Sequence, residues 1–208
     1  MELTISQIAA GVDRAAGAMA TLEQELNAAD AKLGDGDTGS MLARVIGAMA
    51  AAEPQAAASV SDAFGKLARA GMSATGSSLG TLFAGALLSL SRQTKGRERV
   101  EWAEFSDLIA VARDGMMARG GAQLGDKTVL DALDAVARAT AGRTDAEGVA
   151  LAAVGAVDQA MAEFRNRPCR MGRAKFYADR SVGLDDPGML AFASLVRMLA
   201  GEAAKTVA

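Results

Sequence analysis

The stretch Asp30-Ala31-Lys32-Leu33-Gly34-Asp35-Gly36-Asp37-Thr38-Gly39-Ser40 joins the end of one apparent helix to the start of the next. It carries three carboxylates within eight residues. Asp35 and Asp37 alternate along a glycine-rich turn, so they point the same way. A helix that begins near Ser40 offers backbone N–H groups and a positive dipole end to an anion. Because clustered carboxylates beside an anion need a cation, and hard oxygen ligands suit Mg²⁺, the stretch predicts a magnesium–phosphate site.

The same residue types also build ordinary turns. Asp and Gly are among the commonest turn and cap residues, and most Asp-Gly turns bind nothing. An EF-hand is excluded, because with Asp35 as the first ligand the closing bidentate acid would fall on Ile46. On spacing alone, a metal site and an empty turn both stay open.

The composition predicts closely packed helices. Half of the 208 residues are apolar and only 4% are aromatic, whereas a β-sandwich needs more Val, Ile, Thr and aromatic residues. Apolar periodicity indicates about eight amphipathic helices, and no strand or hairpin signal is convincing. One capping box, at Thr21, predicts a helix from Leu22 to Lys32. Short loops imply antiparallel neighbours, so we expect an all-α bundle formed by one domain over residues 1–208.

Charge and residue usage exclude several classes of protein. The net charge of -3 argues against a nucleic-acid surface. A single cysteine, Cys169, cannot form an internal disulfide, which fits a reducing compartment. No signal-peptide pattern or membrane-length apolar run is present, so a cytoplasmic protein without a membrane partner is expected. The absence of histidine excludes histidine-dependent nucleophilic catalysis and histidine-ligated zinc.

Three further loops are candidates for chemistry. Thr75–Thr81 is rich in small residues, which suit either a phosphate or close helix packing. Gly120–Thr128 looks like a phosphate-binding P-loop but fails the pattern, because Asp126 interrupts it and no strand precedes it; an exposed turn is the alternative. In the basic segment Arg170–Gly188, Arg173 is a candidate phosphate clamp, although such a loop is often only solvated. Each loop alone is a weak indication of a binding site, and the four together are a stronger one if they lie at the same end of the bundle.

Four motifs occur in order along the chain. They are Leu26 to Ser40, Gly76 to Phe83, Gly125 to Leu133, and Gly172-Arg173-Ala174 followed by Asp179 to Gly183 and Asp186-Pro187-Gly188. Together they resemble the nucleotide-binding L subunit of dihydroxyacetone kinases, known as the DhaL or DAK2 domain. The resemblance covers essentially the whole chain and implies a barrel of about eight antiparallel amphipathic helices with ADP or ATP bound across one mouth.

The resemblance also implies which residues form the site. Asp30, Asp35 and Asp37 match the positions that hold two Mg²⁺ ions in that family. Arg173 is the expected catalytic residue, since it would spread the charge on the transferred phosphoryl group. The expected nucleotide contacts are Thr38, Gly39, Ser40, Met41, Ser78, Leu79, Gly120, Val129, Arg173, Gly188, Met189 and Leu190.

Two positions depart from the family pattern. Thr38 stands where the family usually has His; fatty-acid kinases with a related domain also carry Asp-Gly-Asp-Thr-Gly, so nucleotide binding is compatible while the substrate stays open. Leu79 replaces a usual Ser, which removes a hydroxyl contact.

The resemblance implies a subunit of a hydroxyketone kinase that works only with a partner K subunit, which binds the ketone. The phosphoryl donor stays open between exchangeable ATP and a held ADP recharged by a phosphotransferase-system phosphocarrier. A non-catalytic ADP-sensing module that docks to a regulator is the alternative from another class, and a structural bundle with an empty Asp turn is the third.

Overall fold

The computed structural model describes residues 2–201, so residue 1 and residues 202–208 of the expected single domain lie outside the described part. Within it, two three-residue strands accompany eight α-helices. The strands are β1 (Glu2–Thr4) and β2 (Arg99–Glu101), and the helices are α1 (Ile5–Asp30), α2 (Thr38–Ala51), α3 (Val60–Ala74), α4 (Ser78–Gln93), α5 (Phe105–Gly120), α6 (Val129–Thr140), α7 (Ala146–Arg165) and α8 (Pro187–Ala200). Short 3-10 segments lie at Pro54–Ala56, Trp102–Glu104 and Ala174–Ser181.

The helices close into a ring. Each helix from α1 to α7 packs against the next one in the chain, and α8 returns to pack against α1. Apolar residues from α1, α2 and α3 form one core cluster, while α6, α7 and α8 supply a second. The all-α, barrel-like bundle expected from periodicity and from the resemblance is confirmed. No helix within residues 2–201 is both long enough and apolar enough to cross a membrane.

The first helix corrects one sequence expectation, the helix start at Thr21. Thr21 does not begin a second helix; α1 continues through it, and the Thr21 hydroxyl donates to the Ala18 carbonyl oxygen at 3.0 Å. The buried face of Met19, Leu22 and Leu26 runs past this point without a break, and that packing outweighs the local capping signal. The true capping box is at Thr4.

A small sheet was not expected from the sequence. Strands β1 and β2 pair antiparallel, with Leu3 opposite Val100. Three residues are too few to show the alternation that identifies a strand, which is why the pattern gives no warning. Val100 is buried, so the pairing fastens the chain start to the α4–α5 connection.

Candidate functional site

Four connections meet at one end of the ring. Since successive helices are antiparallel neighbours, the even-numbered helices all begin at the same end. A cavity of ≈ 740 Å³ opens there. Its lining includes the first residues of α2, α4, α6 and α8 and the last residues of α1 and α5. The scattered sequence motifs are therefore gathered in one place.

Three carboxylates stand at the wall of this cavity. One oxygen from each of Asp30, Asp35 and Asp37 lies within 4.8 Å of the others. Asp30 is buried, whereas Asp35 and Asp37 are exposed. Partial burial, followed by repulsion from Asp35 and Asp30, raises the pKa of the Asp37 carboxyl above its ordinary value. A set of hard oxygen donors with this mutual repulsion fits a divalent cation such as Mg²⁺.

Asp30 also has a structural task. Its Oδ2 accepts hydrogen bonds from the backbone N–H groups of Asp37 at 3.0 Å and Thr38 at 3.2 Å, so it shapes the turn. Gly34 lies so close that a Cβ there would overlap the Asp30 carboxylate. Gly36 has φ +77°, a conformation that disfavours other residues. The glycines of this turn thus allow the carboxylates to approach each other.

The start of α2 is held by α1. The Ser40 N–H donates to Asn27 Oδ1 at 3.1 Å, and the Ser40 hydroxyl donates to Glu23 Oε1 at 2.8 Å. The Met41 N–H bonds the Asp37 carbonyl oxygen inside the helix turn. The Thr38 N–H is also used, because it donates to Asp30. The expectation that the start of α2 offers free amides to an anion is therefore wrong for Thr38, Ser40 and Met41.

The start of α4 is arranged differently. The Ser77 hydroxyl accepts from the Gly80 N–H at 3.0 Å, while Ser78 and Leu79 line the cavity. A Cβ on Gly80 would overlap the Thr75 side chain. The small-residue stretch therefore packs closely and also lies at the cavity wall. Of the two alternatives from the sequence, close packing is observed and phosphate binding stays a prediction.

Arg173 reaches the carboxylates from the opposite wall. Its Nη1 donates to Asp35 Oδ1 at 2.7 Å, and the two side chains are 66% and 43% exposed. The segment Met171–Phe176 contributes this wall. A guanidinium beside the carboxylate cluster and open to the cavity is suited to bind phosphate oxygens.

Two charged residues with shifted pKa values lie at the cavity: Asp186 is half-buried in its wall, and Lys127 is buried close to Asp186. Asp186 caps α8 by accepting from the Met189 N–H at 2.9 Å. Burial raises the pKa of this carboxyl to about 6, although backbone hydrogen bonds and the nearby Lys127 act in the opposite direction. Lys127 is 1% exposed, and burial lowers the pKa of its ammonium group. The expectation of an exposed turn at this lysine is wrong, and no sequence signal distinguishes it from a surface lysine beside a helix cap.

Eight of the expected nucleotide contacts line the cavity, namely Thr38, Met41, Ser78, Leu79, Gly120, Val129, Arg173 and Gly188. The other four lie outside its lining: Gly39 and Met189 are buried between helices, Ser40 is bonded to α1, and Leu190 packs in the core.

Sequence reasoning missed other wall residues. Leu82 lines the cavity one helical turn after Leu79, and Met116 lines it one helical turn before Gly120. Helical spacing from Leu79 and Gly120 would therefore have identified both residues. Phe176 and Asp186 gave no comparable signal as wall residues.

The chain has relatives whose sequences it matches over most of its length. Residues 32–201 match the family description "DAK2 domain". The chain belongs to the DAK2 domain family. This DAK2 domain is 31% identical over 84% of its length to the ADP-binding subunit DhaL of the PTS-dependent dihydroxyacetone kinase of Lactococcus lactis, and covers 85% of that subunit. It is 28% identical to DhaL of the PEP-dependent dihydroxyacetone kinase of Escherichia coli, with 96% of this chain and 98% of that one covered.

Longer relatives contain the DAK2 domain as a part. It is 31% identical to the D-erythrulose kinase of Mycolicibacterium smegmatis over 93% of its own length but spans only 34% of that enzyme. Among solved structures, the native form of the dihydroxyacetone kinase of C. freundii superposes with a TM-score of 0.76 at 23% identity over 95% of this chain and 34% of that one. The structure of the same kinase in complex with AMP-PNP and Mg²⁺ superposes with a TM-score of 0.72 over 97% of this chain and 35% of that one. These likenesses establish the shared helical fold.

Proposed function

We propose that this DAK2 domain is the nucleotide-binding subunit of a dihydroxyacetone-type kinase. One observation carries the proposal: Asp30, Asp35 and Asp37 face Arg173 at the mouth of a cavity of ≈ 740 Å³. The arrangement brings metal ligands and a phosphate-binding cation together where four helices begin and two end. The names of the Lactococcus lactis and Escherichia coli relatives, both ADP-binding subunits, support the same choice of ligand.

The three aspartates would hold Mg²⁺, with two ions shared among them. Their oxygen atoms are close enough to share a cation, and Asp30 is fixed by two backbone hydrogen bonds. When bound, Mg²⁺ supplies positive charge that neutralises and bridges phosphate oxygens. Asp35 and Asp37 are exposed and can adjust to the ions.

The remaining walls suit a nucleotide with its phosphates toward the aspartates. Leu79, Leu82, Met116 and Val129 give the cavity an apolar side that can take a base. The amides of Ser78 and Leu79 lie in the first turn of α4, whose positive dipole end favours an anion. We include Gly39, Ser40, Met189 and Leu190 in the proposed contact set on the family resemblance alone.

The chemistry of this chain is positioning and charge neutralisation. Arg173 would stabilise charge on the transferred phosphoryl group. The chain has no histidine to activate a hydroxyl group. We therefore propose that a partner K subunit binds the hydroxyketone and supplies any base. The domain spans 34% of the D-erythrulose kinase, which leaves room in that enzyme for such a part.

The phosphoryl donor has two forms within this proposal. Either ATP exchanges at the site, or a held ADP is recharged by a phosphocarrier of the phosphotransferase system. The name of the Lactococcus lactis relative, a PTS-dependent kinase, supports the second form.

Calorimetry and reconstitution test the function. The chain should bind ADP with Mg²⁺ and lose that binding in EDTA, and Asp37→Asn should abolish it, while Asp13→Asn on the exposed surface of α1 serves as the control. Dihydroxyacetone should be phosphorylated only when a K-type subunit is added with ATP or with the charged phosphocarrier. Binding without transfer in every mixture would favour the ADP-sensing module instead. Turnover by the isolated chain would contradict the division of labour.

A further inference from the structure

Lys127 has an unusual environment for a lysine. Its side chain is 1% exposed and its backbone has φ 60°, a left-handed conformation that is uncommon outside glycine. Its Nζ donates to the carbonyl oxygens of Arg165 at 3.1 Å, Arg167 at 2.8 Å and Ser181 at 2.9 Å. An ammonium group has three N–H donors, so these bonds use all of them.

The three carbonyls lie at the two ends of one irregular segment. Arg165 is the last residue of α7, Arg167 lies at the start of the segment that follows, and Ser181 closes its 3-10 turn. We name residues 166–181 the arginine segment, because Arg173 lies at its centre. Lys127 directly precedes Thr128, the N-cap of α6. Its side chain therefore fastens both ends of the arginine segment to the start of α6. A third attachment follows the same route, since the Arg170 N–H donates to the Asp126 carbonyl oxygen at 3.1 Å.

The inner side of the arginine segment packs on the aspartate turn. Leu33 is buried against Cys169 and Ala174. The Cys169 N–H donates to the Ser181 hydroxyl at 2.8 Å, which draws the two ends of the segment together. Arg173 itself is exposed, and its bond to Asp35 is a surface ion pair. Such a pair is weak, so the position of Arg173 depends on how its segment is fastened.

Lys127 is not in a position to bind a nucleotide directly. Its neighbour Thr128 lines the cavity, whereas Lys127 does not. Its donors are used by backbone oxygens, which excludes the role of a P-loop lysine that reaches phosphate.

We propose that Lys127 is a positioning residue that holds Arg173 over the aspartate cluster by tying the two ends of the arginine segment together. Its effect on phosphoryl transfer rests on the proposed function, but its effect on the segment does not. The Lys127 ammonium group is the donor shared by all three carbonyl oxygens. Its removal leaves the Arg167 carbonyl oxygen without a donor among the described residues, whereas Arg165 and Ser181 keep the N–H groups of Gly183 at 2.8 Å and Leu184 at 3.2 Å. The direct link between the two ends of the segment through one buried charge is then lost.

The first test measures the segment itself. Lys127→Met keeps the length of the side chain and removes Nζ, and Lys95→Met on the exposed α4–α5 connection is the matched control. Hydrogen exchange of the amides in residues 169–181 should become at least tenfold faster in Lys127→Met and stay unchanged in Lys95→Met, with the helical circular dichroism preserved. Unchanged exchange in Lys127→Met would overturn the proposal whether or not the chain is a kinase subunit.

The second test asks whether Lys127 acts through Arg173. In the reconstituted kinase, Lys127→Met should slow transfer by about 100-fold, the order of loss that a misplaced reacting group causes, while the dissociation constant of Mg–ADP changes less than tenfold. Added to Arg173→Ala, it should cause little further loss, because the group it positions is already gone. Independent, multiplicative losses would contradict a positioning role.

A third variant covers the case in which Lys127→Met does not fold. Lys127→Gln retains an amide donor and should give the same effects to a smaller degree. Loss of fold in both variants would overturn the proposal, since Lys127 would then support the whole bundle rather than the arginine segment. If the unaltered chain shows no transfer with any partner, the proposed function fails, and the exchange experiment alone decides the role of Lys127.

Discussion

Arg173 and Asp35 are 138 positions apart in the chain, yet Nη1 of the arginine donates to Oδ1 of the aspartate at 2.7 Å. The arginine occupies one oxygen of a carboxylate that a metal ion would also use. In the ligand-free chain it therefore offsets part of the negative charge of the aspartate cluster. In the proposed site, binding of a metal and a phosphate would require this pair to separate or to rearrange, so the two proposed roles of Arg173, as a competitor of the metal and as a phosphate ligand, can be measured separately.

Arg173→Ala should have opposite effects on the metal and on catalysis. Without the competing guanidinium, Mg²⁺ should bind the free chain somewhat more tightly, because the charge repelling it is gone. Phosphoryl transfer in the reconstituted kinase should fall by about 100-fold or more, the usual loss on removing one preorganised donor. Metal titration and single-turnover kinetics measure the two quantities. Arg173→Lys keeps the positive charge but loses the planar guanidinium, so its transfer rate should lie between those of the unaltered chain and Arg173→Ala. Weaker Mg²⁺ binding in Arg173→Ala would contradict a competition between Arg173 and the metal for the carboxylates.

The three aspartates should differ in their effect on stability. Asp30 accepts two backbone hydrogen bonds in the turn, so Asp30→Ala should destabilise the chain by about 1–3 kcal/mol. Asp37 makes no side-chain cap bond to α2, and its pKa is raised by burial and by its acidic neighbours. Asp37→Asn should therefore leave the stability of the ligand-free chain within roughly 0.5 kcal/mol or raise it. Both substitutions should abolish the proposed Mg–nucleotide binding.

Urea unfolding with and without Mg–ADP checks this difference. The nucleotide should raise the midpoint of the unaltered chain and leave that of Asp37→Asn unchanged. Asp35→Asn should behave like Asp37→Asn. A ligand-free Asp37→Asn chain as unstable as Asp30→Ala would show that the exposed carboxylate is structural.

Asp186 should make stability depend on pH. Its folded-state pKa of about 6 lies above its ordinary value of 3.8, so the folded chain binds more protons between these values than the unfolded chain does. Stability from this group is therefore greatest at low pH, falls as the pH rises from about 4 to about 6, and stays lowered above that. Asp186→Asn keeps a good N-cap without the buried charge and should be more stable than the unaltered chain at pH 7, by on the order of 2 kcal/mol.

The midpoints of urea unfolding between pH 4 and pH 8 measure this difference, which should vanish toward pH 4. Asp145→Asn at the start of α7 is the same exchange at another N-cap and controls for replacing a cap carboxylate by an amide. A constant difference between Asp186→Asn and the unaltered chain across the range would contradict the raised pKa.

The sequence predicted those features that depend on local pattern. Helical periodicity, the caps at Thr128 and Asp186, and the aspartate turn could all be recognised from neighbouring residues. Features that depend on tertiary packing could not. Thr21 carries a valid capping signal that a continuous buried face overrides, and the role of Lys127 depends on three carbonyl oxygens far along the chain. The cavity wall was found only where a residue lay in a recognised motif.

A close contact between α1 and α2 lies beside the aspartate turn, at Gly39. A Cβ on Gly39 would overlap the Glu23 carbonyl oxygen and crowd Asn27. A backbone oxygen cannot move aside as a flexible side chain can, so Gly39→Ala should push the helices apart and cost about 1–3 kcal/mol. The Ser40 bonds to Asn27 and Glu23 should weaken with it. Mg–ADP affinity should then fall, because the aspartate turn is held by the same two helices.

Gly47 provides the matched control on the same helix. It is exposed, and nothing lies within 4 Å of a Cβ built there. Gly47→Ala should stabilise the chain by roughly 0.5–1 kcal/mol, because alanine loses less backbone entropy in a helix. Thermal unfolding of the two variants, with Mg–ADP calorimetry on each, separates the contact from the general effect of alanine. Equal stabilisation by both substitutions would show that α1 and α2 can separate without loss, and that the Gly39 contact does not fix the turn.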